Sequence, residues 1–86
     1  MKKLEYFIKN IHPSDFFEKK NFDTIKVIKS NFPKLKIFPK GDRILANGEE
    51  SLINVLKKRL DILIILMNKN VKITNKFIDS IMSGNG

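Results

Sequence analysis

Apolar and polar residues alternate from the start of the chain. Leu4, Tyr6 and Ile8 fall on one side and Glu5, Phe7 and Lys9 on the other, the period of a half-buried strand. His12-Pro13-Ser14-Asp15 breaks the alternation. Between Asn21 and Asn31 the period changes: Phe22, Ile25 and Ile28 recur at every third residue, which predicts one face of a short helix. Asn21 suits the N-cap and Asp23 the first turn, where the helix dipole favours an acid. The helix should end before Phe32, because the residue ahead of Pro33 disfavours helical geometry. Alternation returns at Lys34–Phe38, with Leu35 and Ile37 on one side and Lys34, Lys36 and Phe38 on the other. Pro39-Lys40-Gly41-Asp42 reads as a turn, with Gly41 free to adopt positive φ. Beyond it Ile44 and Ala46 would join Leu35 and Ile37 inside, leaving Arg43 and Leu45 outside. That pattern is a hairpin.

Asn47-Gly48-Glu49-Glu50 opens the longest helical pattern, with two acids in its first turn. Leu52, Leu56, Leu60, Leu63 and Met67 form a seam, and Ile53, Ile62, Ile64 and Ile65 widen it until the last two turns are apolar nearly all round. A helix of that kind should be covered on several sides. The obvious cover is a last helix capped by Thr74, with Phe77, Ile78, Ile81 and Met82 on one face. The elements run β-α-β-β-α-α. They predict an α+β fold, a three-stranded sheet with two or three helices on one face and the other face open. Strand, helix, strand suggests a parallel pair joined by a right-handed crossover, with the third strand added antiparallel. Residues 1–82 read as one domain; Ser83-Gly84-Asn85-Gly86 reads as a tail or the start of a linker.

Composition narrows the chemistry. The 86 residues include no cysteine, which removes disulfides, thiolate metal sites and cysteine nucleophiles together and suits a cytoplasmic protein. The longest apolar run, Ile62 to Met67, is far short of the roughly 20 residues that span a bilayer. Glu5, Lys9 and Asn10 interrupt what would be a secretory signal, so no membrane partner is expected. The net charge of +8 suggests a polyanionic partner. Lys, Asn and Ile make up 37 of the residues, as drift in an AT-rich coding sequence would also give. Only Arg43 and Arg59 are arginine, the side chain best shaped for bidentate phosphate contacts. Residues 1–45 carry a net +6 and residues 46–86 a net +2, so the charge sits with the expected sheet.

Catalytic constellations are hard to assemble. His12, the sole histidine, has no nucleophile or second ligand nearby in the sequence and reads as a turn residue. Glu49 and Glu50 would point about 100° apart on a helix, which suits capping and dipole matching better than an acid/base dyad. No phosphate loop or dinucleotide fingerprint occurs. The chain is expected not to be an enzyme and to hold no cofactor. What remains is the outer sheet face, where Lys34, Lys36, Phe38, Lys40 and Arg43 place cations around an aromatic on adjacent strands. Single-stranded RNA would use such a surface, with phosphates on the lysines and a base on the ring. A solvated face whose lysines guard the sheet against edge pairing explains the same pattern. Lys57-Lys58-Arg59 reads as a solvated helix face, and Lys19-Lys20 as solvated charge ahead of the first helix. In a rival class, Ile62, Ile65 and Leu66 form an interface for docking or homo-oligomerisation.

The order of landmarks resembles the N-terminal, KH-like domain of the PhoH-like family of P-loop ATPases. Those landmarks are Pro13-Ser14-Asp15-Phe16-Phe17, Asn21-Phe22-Asp23 and Phe32-Pro33-Lys34-Leu35-Lys36-Ile37, then Lys40-Gly41-Asp42, Gly48-Glu49-Glu50 and Ile73-Thr74. They extend from about Leu4 to Met82. The chain has no Gly-x-x-Gly loop, carries Glu18 where relatives often have Gly, and carries Lys40 where Arg is usual. The resemblance implies an accessory domain ahead of an ATPase domain that is not in this chain. It also implies a setting in RNA metabolism and phosphate starvation. ATP and magnesium would belong to that ATPase domain, which would itself be a partner.

Overall fold

The computed structural model describes residues 1–8, 24–69 and 73–84. The turn at His12-Pro13-Ser14-Asp15, Lys19-Lys20, the Asn21 cap, Phe22, Asp23 and the end of the tail lie outside the described residues. The elements are β1 (Lys2–Phe7), α1 (Thr24–Asn31), β2 (Lys36–Lys40), β3 (Arg43–Gly48), α2 (Glu50–Asn68) and α3 (Asn75–Ser83). This is the α+β order that the periodicity predicts.

The sheet differs from expectation in one respect. Its strand order is β1-β3-β2, and both pairings are antiparallel. β1 and β2 run the same way but do not touch, because β3 lies between them. The hairpin strand therefore inserts into the crossover rather than adding at its edge. Antiparallel pairing is slightly more stable per residue than parallel pairing, and insertion gives the most apolar strand, β3, two neighbours. The hairpin loop is only Gly41-Asp42, since Lys40 already pairs with Arg43, and Gly41 has φ +62°.

The register sorts the side chains into two faces. Leu4, Ala46 and Ile37 share a row, as do Tyr6 and Ile44; Ile37, Ile44 and Ala46 are buried. The helices cover this side. Ile28 of α1, Ile53, Leu56, Leu60 and Leu63 of α2 and Ile78 of α3 are fully or almost fully buried against it. Each such side chain contributes about 1.5–3 kcal/mol of transfer free energy. α1 stops at Asn31 ahead of Phe32-Pro33, and its last residue donates from Nδ2 to Asp79 of α3 at 2.8 Å. α2 begins one residue later than the paired acids suggest. Glu49 is its extended N-cap and Glu50 alone occupies the first turn. Thr74 caps α3 as expected, its hydroxyl accepting from the Phe77 N–H at 3.1 Å. α3 runs through Ser83 into Gly84, whose φ of +84° lets its N–H close on the Ile81 and Ser80 carbonyls.

Candidate nucleic-acid interface

The other sheet face carries three rows, set by the pairing partners of β3. Lys3, Asn47 and Lys36 form the first, Glu5, Leu45 and Phe38 the second, and Phe7, Arg43 and Lys40 the third. Among the described residues no helix covers them. Phe7 and Phe38 are 46% and 43% exposed, two half-exposed rings among the cations of this face. They stand on the two outer strands in adjacent rows, about 12 Å apart at ordinary strand spacing and rise.

Lys36 and Phe38 lie on the open face as the alternation predicts; Lys40, expected in the turn, instead ends β2 opposite Arg43, and both face the same way. Lys34 is exposed but lies in the turn before β2, off the sheet. Arg43 is more engaged than the sequence suggests. Its Nη1 donates to Glu5 Oε2 at 2.9 Å, and its guanidinium sits 5.4 Å from the Phe7 ring centroid. An ion pair this exposed is worth about 0–1 kcal/mol, yet it takes up charge and donors that a phosphate would need. Among the described residues, the cations of the face with no ion pair are Lys3, Lys36 and Lys40. Lys3, Phe7 and Asn47 belong to the surface although the hairpin pattern did not include them. The alternation of Glu5 and Phe7 against Leu4 and Tyr6 already marked which side of β1 they occupy, but not which strand β1 would join.

Ile62, Ile65 and Leu66 do not form one patch. Ile62 and Leu66 border a shallow groove with Arg59, Phe77 and Ile81 between α2 and α3. Ile65 turns to the opposite flank, where a hollow between β1 and α2 is lined by Leu4, Tyr6, Lys57, Asp61 and Ile64. Ile62 and Ile65 are 41% and 53% exposed, so the apolar end of α2 is not covered all round by the described residues. In the hollow the Tyr6 hydroxyl donates to Asp61 Oδ1 at 2.5 Å. Burial of the phenol, then the hydrogen bond to the Asp61 carboxylate and its charge, raise the Tyr6 pKa well above the usual tyrosine value. Among the described residues no cluster of three or more His, Asp or Glu is placed to hold a metal, and no helix is long and apolar enough to cross a membrane.

Fold and face together define a small α+β domain with helices on one side of an antiparallel sheet and a cationic, aromatic-bearing surface on the other. Comparison of the chain with protein-family models, with curated proteins and with solved structures finds no match.

Proposed function

We propose that this chain is a non-catalytic accessory module that binds single-stranded RNA weakly through the open sheet face. Lys3, Lys36 and Lys40 would meet phosphates, with Lys34 reaching in from the turn, and Phe38 would stack a base. Phe7 is the second platform, with Arg43 against its ring. The observation that carries this reading is the register, which sets three lysines and two half-exposed rings on one side of the sheet, over which no helix of the described residues lies. The order of landmarks supports placing the module in a cytoplasmic PhoH-like ATPase, with ATP and magnesium handled by a P-loop domain. Titration of labelled single-stranded RNA at two salt concentrations tests the binding. Affinity should fall steeply with salt and vary little with sequence. No binding even at low salt removes the proposal.

A second reading rests on the groove bordered by Ile62, Leu66, Phe77 and Ile81. There the domain would dock on the ATPase domain or on itself, and the sheet face would be only a solvated surface. Ile62→Asp would then abolish association, while Lys36→Ala would leave it unchanged.

A further inference from the structure

The N–H of Ile8 donates to the carbonyl of Asp42 at 3.0 Å, and this bond sets the phase of the β1–β3 ladder. Antiparallel neighbours alternate between pairs that exchange both backbone bonds and pairs that exchange neither. Ile8 and Asp42 continue the Phe7–Arg43 register, so Tyr6–Ile44, Leu4–Ala46 and Lys2–Gly48 are the bonded pairs. Lys3, Glu5 and Phe7 therefore turn their N–H and C=O groups to the outer edge of β1. Among the described residues no strand pairs there.

The opposite edge of the sheet is different. By the same phase, Lys36, Phe38 and Lys40 bond to β3, and the outward groups of β2 belong to Ile37 and Pro39. Pro39 has no N–H to offer, and the adjoining side chains include two lysines and no acid. That edge is blunted against a further strand. The β1 edge alternates Lys3 with Glu5, a pattern complementary to itself.

We infer that the β1 edge pairs with β1 of a second copy, antiparallel and centred on Leu4, giving a continuous six-stranded sheet. The two-fold axis stands perpendicular to the sheet, so both cationic faces lie on the same side. Lys3 stands opposite the partner's Glu5 and Glu5 opposite the partner's Lys3, each pair exchanging two backbone hydrogen bonds. On the helix side Lys2, whose ammonium lies 3.7 Å from Glu50 Oε1 of its own chain, stands opposite the partner's Tyr6. The partner's Leu4 enters the hollow beside Ile64 and Ile65. Other registers are worse. A shift of two residues sets Glu5 against Glu5 or Lys3 against Lys3, and a shift of one opposes outward groups to inward ones. The strip is short, below the roughly 1,200 Å² of stable interfaces, so the dimer is concentration-dependent. It needs no RNA.

Sedimentation of the 86-residue chain from about 10 μM to about 1 mM tests this. The mass should rise from 10.0 kDa to twice that value. Lys3→Glu leaves the β1–β3 bonds and the Glu5–Arg43 pair intact but sets acid against acid. It should weaken the dimer about tenfold or more. Glu5→Lys should do the same with the opposite sign, and an equimolar mixture of the two variants should form a heterodimer in which every cross-strand pair is again opposite in charge. Circular dichroism confirms that each variant is folded, and Lys3→Pro, which deletes an outward N–H only, serves as an independent edge block. A chain that stays monomeric throughout, or a dimer indifferent to all these changes, overturns the proposal.

Discussion

Gly48 closes β3 where α2 must turn back over the sheet, and it is the position most sensitive to a single added carbon. Its φ is +157°, a setting that L side chains rarely adopt, and a Cβ built there would lie 2.2 Å from Leu35 Cδ2. Carbon atoms meet comfortably at about 3.5–4.0 Å, so the leucine methyl would have to retreat by more than an ångström. Leu35 is only 6% exposed and belongs to the core, so it can yield only by leaving its rotamer or displacing its neighbours. Overpacking of this kind costs about 1–3 kcal/mol, and the backbone setting adds about 1–3 kcal/mol. Taking about 4 kcal/mol as the middle of the combined range, Gly48→Ala should lower Tm by about 16–32 °C for a domain of this size. Thermal and urea unfolding followed by circular dichroism give the number. The same substitution made with Leu35→Ala separates the causes, because the clash is then gone and only the backbone cost remains. A loss below about 0.5 kcal/mol for Gly48→Ala, or equal losses in both backgrounds, would refute the steric argument.

Three more outcomes are expected. With Lys3, Lys34, Lys36 and Lys40 on phosphates, the slope of log affinity against log salt for single-stranded RNA is about −2.8, and Lys36→Ala reduces its magnitude by about 0.7. Arg43→Ala, removing a cation that Glu5 already neutralises, changes that slope less than Lys36→Ala does; the reverse order would displace the contact surface. Tyr6 has a folded-state pKa raised above its ordinary value of 10.0, so the stability it supplies is complete below about pH 10 and is lost as pH rises through and beyond that value. Urea unfolding at about pH 8 and about pH 11 should show a smaller alkaline loss in Tyr6→Phe than in the parent chain, and equal losses would separate the phenol from that transition. Thr74→Ala removes the hydroxyl that accepts from Phe77 N–H and should cost about 1 kcal/mol in the same assay, whereas a neutral result would mean that the cap contributes nothing.

Much of the candidate surface was legible because its causes are local. Alternation at Lys34–Phe38 and Arg43–Ala46, with a glycine turn between, is enough to send Lys36 and Phe38 to one side and Ile37 and Ile44 to the other. The register of the finished hairpin moved by only a residue or two, since Lys40 still pairs and Gly41-Asp42 alone makes the loop. What a linear pattern could not reveal is who stands beside whom. Lys3 and Phe7 belong to the face only because β1 joins β3, and Arg43 is taken up only because that pairing brings Glu5 within 2.9 Å. Ile62 and Ile65 look equivalent in sequence, but the helix packs down between them, leaving one toward α3 and the other toward β1.

The chain by itself determined the kinds of elements and their inward faces, because side-chain periodicity and turn chemistry act over a few residues. It also determined the absence of cysteine chemistry and the excess of lysine. Only the tertiary structure decided the strand order, which of the two sheet edges is blunted by a proline and which keeps its hydrogen-bonding groups turned outward. Those outcomes depend on contacts between segments some forty residues apart. Their hydrogen bonds and buried area exist only after the whole sheet has been assembled over its helices.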